Sequence, residues 1–98
     1  MKIEKELNGT SLVIALEGRL DTITAPDLEA EVKGSLNGIN SLVFDMSNLE
    51  YISSAGLRVI LSAQKKMNAQ GEMKVCGVNE TIMEIFEVTG FSDIITIE

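Results

Sequence analysis

Apolar positions along the chain switch between a spacing of two and a spacing of three to four, and the switches mark out its elements. Met1–Leu7 alternates, with Ile3, Lys5 and Leu7 on one face, which predicts a short edge strand. Asn8-Gly9 follows, a dipeptide suited to the left-handed residues of a two-residue hairpin. Leu12–Leu16 is mostly apolar and predicts the second strand of an antiparallel pair.

The spacing then lengthens. Leu28, Val32 and Leu36 recur every four residues and predict a helix from about Pro26 to Asn37. Thr24-Ala25-Pro26-Asp27 fits a capping box at its start, while Pro26 equally fits the first helical position; Gly38 is expected to end the helix as a left-handed cap. Ser41–Met46 reads as a buried strand, followed by a loop. Leu57, Ile60, Leu61 and Met67 predict a helix from about Ser54 to Gln70, stopped by Gly71. Met73–Val78 reads as a strand. Ile82, Ile85 and Phe86 mark a third helix over about Asn79–Thr89, with Asn79 as N-cap and Gly90-Phe91 as a glycine C-cap with its hydrophobic contact. Ile94–Ile97 closes the pattern as a last strand.

Strands that alternate with helices need crossover connections, and these build a largely parallel sheet. The expected fold is therefore a single α/β domain over residues 1–98, with a mixed, mainly parallel sheet, an antiparallel N-terminal hairpin and three to four helices. No linker, repeat or low-complexity segment divides it.

Composition narrows the function. Fifteen acidic residues against eight basic ones leave a net charge of −7, which argues against direct nucleic-acid binding or an anionic membrane as partner. There is no histidine, so the commonest general base and metal ligand is missing. The lone Cys76 rules out an internal disulfide and lies in an apolar strand, where it reads as an inert thiol. No metal or cofactor is expected. With no apolar run long enough for a membrane span and no h-region at the N-terminus, the expected compartment is the cytoplasm.

The chemically informative stretch is Asp45–Arg58. A strand leads to a helix start at which Ser53 and Ser54 stand, and helix N-termini offer unpaired N–H groups that favour anions. Serine is also among the best N-caps, so capping alone accounts for the pair. Gly56 in the first turn costs about 1 kcal/mol relative to alanine and has no capping purpose; it is expected to keep the backbone open to an approaching partner. Tyr51–Gly71 contains no acidic residue, while Arg58, Lys65 and Lys66 fall in its helix; Glu80, Glu84 and Glu87 give the third helix the opposite sign. Arg58 follows Ser54 by one helical turn, where it could hold a phosphate or meet an acidic partner, or merely be solvated.

The segment Tyr51-Ile52-Ser53-Ser54-Ala55-Gly56-Leu57-Arg58-Val59-Ile60-Leu61 resembles the phosphoacceptor segment of STAS domains, the bacterial anti-sigma factor antagonists. Glu17-Gly18-Arg19-Leu20-Asp21 with Ala25-Pro26-Asp27-Leu28 is similar to that family's second strand and first-helix entry, and Leu42–Ser47 to the strand before its phosphorylation loop. The resemblance implies a protein acted upon rather than an enzyme. Its partner would be an anti-sigma factor serine kinase, which binds the ATP, phosphorylates one serine and binds only the unphosphorylated domain. Register on Gly56-Leu57 puts the acceptor at Ser54, with Ser53 as the alternative. The family's aspartate before the acceptor is Ser53 here, and its closing glycine is Arg58. Asp21, Asp45, Ser53, Ala55, Gly56, Leu57 and Arg58 form the expected partner-binding set, with Asp21 and Asp45 near one end of the sheet. For both aspartates the plain readings, a turn residue and a solvated strand-end carboxylate, stand beside the functional one. The departure at Ser53 leaves a rival: an unphosphorylated STAS-like module of another signalling or transport assembly. A small enzyme or nucleotide-binding domain has no glycine-rich phosphate loop or acid–base pair to support it.

Overall fold

The computed structural model describes residues 1–98. Strands β1 (Lys2–Asn8) and β2 (Ser11–Leu20) form the hairpin. Helix α1 (Ala25–Ser35), β3 (Ser41–Ile52), α2 (Ser54–Asn68), β4 (Glu72–Cys76), α3 (Glu80–Thr89), a 3-10 turn at Phe91–Asp93 and β5 (Thr96–Ile97) follow. The five strands lie side by side in chain order, β1 antiparallel to β2 and the rest parallel. Gly9 takes the left-handed conformation that the hairpin turn demands, at φ 64°.

Parallel neighbours joined in sequence by right-handed crossovers put every helix on the same side of the sheet. Burial agrees. On that face Leu12, Ile14, Leu16, Leu42, Phe44, Met46, Met73 and Val75 are buried under Leu28, Val32, Ile60, Met67, Ile82 and Phe86 in one 24-residue core. The alternate residues, Val13, Ala15, Val43, Asp45, Lys74 and Cys76, are only half-buried on the uncovered face. Ile3, Lys5 and Leu7 share the helix side of β1, and Lys5 extends across the edge to Glu31 (2.6 Å) and Ser35 (3.2 Å) of α1.

Several boundaries differ from the pattern reading. Strand β3 does not stop at Met46 but runs to Ile52, and β2 runs with it to Leu20. Two register shifts carry this extension: Ala15 faces Asp45 but Glu17 faces Asn48, and Gly18 faces Leu49 but Arg19 faces Tyr51. Each adds one residue to β3, a β-bulge. Buried positions there fall at Met46, Leu49 and Ile52, a spacing of three that hides the strand. Gly18 absorbs part of the distortion at φ 103°.

Helix α1 begins at Ala25, with Pro26 in its first turn, and no capping box forms. The Thr24 hydroxyl is drawn instead to the Arg19 carbonyl (2.8 Å). The helix ends at Ser35 and its C-cap is Leu36; Gly38 is left-handed, as expected, but two residues later. Strand β4 stops at Cys76, because Gly77 turns to φ 70° against Ser47. Strand β5 is confined to Thr96–Ile97. Asn79 and Gly90 cap α3 as the sequence predicts, and Phe91 stacks on Phe86 with centroids 6.5 Å apart.

Candidate functional site

The long partners β2 and β3 deliver the chain to the start of α2. Beyond their last pair, Leu20 with Ile52, the Ser53 N–H donates to the Leu20 carbonyl (2.9 Å). Ser53 then turns out of the sheet with an extended backbone and becomes the N-cap. Its hydroxyl accepts the Gly56 N–H at 3.4 Å and its carbonyl accepts the Leu57 N–H at 2.9 Å. Ser54 is the first helical residue and exposed, and its hydroxyl has no protein partner. The two serines are thus separated by role: one holds the helix end, the other is free on the surface beside the positive end of the helix dipole.

Gly56 does something other than leave room for a visitor. It is buried, and a β-carbon there would stand 2.6 Å from Leu20 Cγ and 2.9 Å from Ile52 Cγ1. Its missing side chain lets α2 settle onto the ends of β2 and β3. Leu57 is also buried, at 6% exposure, so both residues support the surface from below. What faces outward is Ser54, the edge of Ala55, and Arg58.

Arg58 is exposed and makes no ion pair, in common with Lys65 and Lys66; the four ion pairs of the chain all lie elsewhere. It borders a groove of about 230 Å³ between α2 and the start of α1, with Ala55 and Ser62 on its own side and Thr22, Pro26 and Glu29 opposite. Sequence reasoning did not connect the α1 residues to this place. The only local hint was a small residue at Ala25 and another at Ala55, which allow two helix starts to approach.

Asp21 directly follows Leu20 and so sits beside Ser53. Its carboxylate accepts the N–H groups of Ile23 (3.0 Å) and Thr24 (3.1 Å), closing the turn into α1. The Thr24 amide foremost, with the Ile23 amide, the Thr24 hydroxyl and the Arg19 charge behind it, holds its pKa below the usual carboxylate range, against an opposing effect of burial second in size only to the Thr24 amide. Arg19 itself lies over the Tyr51 ring, 4.6 Å from its centroid.

Asp45 is not at this end. It lies in mid-strand, opposite Ala15 and Cys76, seven residues before Ile52 and on the order of 20 Å back along the strand. It also belongs to the uncovered face, between buried Phe44 and Met46, whereas α2 covers the other face. Its carboxylate accepts the Ser47 hydroxyl (2.6 Å) and N–H (3.0 Å), and these bonds lower its pKa. The expectation that Asp21 and Asp45 mark a common end of the sheet is therefore corrected: the structure brings Asp21 to the serines and keeps Asp45 away. Cys76, next to Asp45, is half-buried, and burial followed by the charges of Asp45 and Glu98 pushes its thiol pKa up, unfavourable for a nucleophile. No helix is long and apolar enough to cross a membrane.

Comparison with known proteins places this geometry in a family. The STAS domain family model matches residues 2–98. The putative anti-sigma factor antagonist BtrV of Bordetella bronchiseptica is 36% identical over 96 residues, covering 96% of this chain and 83% of that protein. The anti-sigma-B factor antagonist of Listeria monocytogenes is 34% identical over 97 residues, covering 96% and 84%. Among solved structures, an anti-sigma factor antagonist from Mycobacterium paratuberculosis superimposes with a TM-score of 0.89 at 22% identity, covering 98% of this chain and 83% of that one. The anti-sigma factor antagonist SpoIIAA in its unphosphorylated form gives 0.79 at 17% identity, covering 99% and 87%. Its phosphorylated form from Bacillus gives 0.78 at 17%, covering 99% and 91%. These likenesses describe one fold.

Proposed function

This chain belongs to the STAS domain family, and we propose that it is a cytoplasmic anti-sigma factor antagonist, a non-enzymatic domain that binds a kinase-type anti-sigma factor and is switched off by phosphorylation of Ser54. One observation carries the residue assignment: Ser53 is engaged as helix cap, while the neighbouring Ser54 hydroxyl is exposed and unbonded. The partner binds the ATP. The γ-phosphoryl group passes to the Ser54 oxygen, ADP leaves, and the hydroxyl proton goes to a base of the kinase.

The switch is electrostatic. The phosphate adds about −1.5 to −2 charges. It does so beside a helix with no acidic residue from Tyr51 to Gly71, on a surface formed by Ser54, Ala55 and Arg58 with Asp21 and the α1–α2 groove at its margin. A partner packed closely on the neutral hydroxyl then meets a charge that it must desolvate. Ser53 in place of the family's aspartate is compatible with this reading, because serine and aspartate are equivalent N-caps. The same substitution is what favours the other reading, a STAS-like interaction module that is never phosphorylated.

Incubation with the cognate kinase and ATP, followed by phosphopeptide mapping, separates them. Phosphate is expected on Ser54. Phosphate only on Ser53 overturns the assignment, and none on either serine favours the unphosphorylated module. Ser54→Asp is expected to weaken kinase binding with the fold unchanged, and Ser54→Ala to preserve it.

A further inference from the structure

Helix α3 carries a second surface that the serine switch does not use. Its buried side is Ile82 and Phe86. Beside it, exposed Thr81, half-buried Ile85, which also packs against the core, and exposed Val88 follow one another at spacings of four and three, one stripe down the helix. Val88 is 81% exposed, the second most exposed large apolar residue of the chain. With Glu84 and Thr89 these residues line a shallow groove of about 300 Å³. The Thr89 hydroxyl bonds back to the Ile85 carbonyl (2.6 Å), so the groove has little polar demand of its own.

A second stripe runs beside the first, one residue out of phase. Glu80, Glu84 and Glu87 are all exposed, and none forms an ion pair. The helix has no basic residue, and Asp93 follows in the next turn. Four carboxylates elsewhere meet lysines, Glu4, Glu29, Glu31 and Glu98, and none of those on α3 does. An unpaired acidic row along an apolar row specifies what fits it: aliphatic side chains in register with a row of lysines or arginines.

We propose that the outer face of α3 is a docking site for a basic amphipathic segment of a partner protein, its aliphatic residues on Ile85 and Val88 and its cations on Glu80, Glu84 and Glu87. The chain's net charge of −7 adds a long-range attraction for such a segment. The same charge opposes a second copy as occupant.

The test titrates the isotope-labelled full chain with a synthetic peptide of about five helical turns, leucines on one face and lysines beside them, and follows amide shifts. Two control peptides replace the lysines with glutamate or the leucines with serine. Saturable shifts centred on Thr81, Glu84, Ile85 and Val88, with a Kd below about 1 mM that weakens as salt rises, are expected only for the leucine–lysine peptide. Val88→Ser, at an exposed position, should weaken binding about three- to tenfold, and Glu84→Lys at least as much. Absence of saturation, shifts centred elsewhere, equal binding of either control peptide, or unchanged affinity of both variants overturns the proposal. So does sedimentation showing that the chain self-associates through Val88. Ser54→Asp should leave this binding unchanged, which keeps the result separate from the phosphorylation reading.

Discussion

Replacing Gly56 with alanine tests whether this glycine serves the core or the partner. The new methyl carbon would lie 2.6 Å and 3.0 Å from two carbons of Leu20 and 2.9 Å from Ile52 Cγ1. These are side-chain atoms of residues exposed by 1% or less, so they can move only by disturbing the core around them. Overpacking of this kind costs about 1–3 kcal/mol. Alanine returns up to about 1 kcal/mol of helix propensity. The net expectation is a loss of roughly 1–2 kcal/mol, a melting temperature lower by about 5–15 °C in a domain of this size. Valine, with two further methyl groups and a smaller propensity gain, should cost more. Urea unfolding of Gly56→Ala, Leu20→Ala and the double variant isolates the contact. Leu20→Ala alone should cost about 2–5 kcal/mol. In the double variant the new methyl occupies space that Leu20 vacated, so the total should fall short of the sum by 1 kcal/mol or more. Strict additivity would refute the packing argument. So would a Gly56→Ala protein that melts normally but no longer binds its partner.

Two further expectations concern the site's surroundings. Ser53→Ala removes the cap of α2 and should lower stability by about 0.5–2 kcal/mol by chemical denaturation, while Ser53→Asp restores it and Ser54→Ala has little effect; equal losses at both serines would contradict their division of roles. Asp21 and Asp45 have folded-state pKa values below their unfolded ones, so the folded protein binds fewer protons in acid than the unfolded chain. Their contribution is complete above the unfolded value of about 4 and is lost as pH falls through the folded values. The double variant Asp21→Asn/Asp45→Asn should therefore lose stability less steeply than the parent between about pH 5 and pH 2; identical slopes in urea midpoints would refute it.

How far the fold was legible depends on whether a local period survived. Asn8-Gly9, the four-residue rhythm of α1 and the caps of α3 are local chemistry, and each is found where the residues put it. The second half of β3 was illegible because two bulges reset its alternation, leaving polar Ser47, Asn48 and Glu50 between buried residues three apart. The same extension moves Asp45: a strand ending at Met46 puts it near the end of the sheet, whereas β3 as it runs leaves it in mid-strand. The candidate serines could be located from a helix start and two caps. Whether Gly56 faced a visitor or the core could not, because that depends on Leu20, thirty-six residues away in the chain.

The overhang of β3 past the end of β4 has a consequence for the protein's behaviour in concentrated solution. From Met46 to Ile52 this strand has a ladder partner only in β2, so its other border would be bare. Gly77 closes against Ser47, and the Asn79 side-chain amide donates to the Leu49 carbonyl at 3.0 Å. The entry to α3 thus works as a stopper on an open strand border, the kind of border that recruits other chains. Were α3 to detach, with Ile82 and Phe86 leaving the core, that border and the core beneath it would be exposed together.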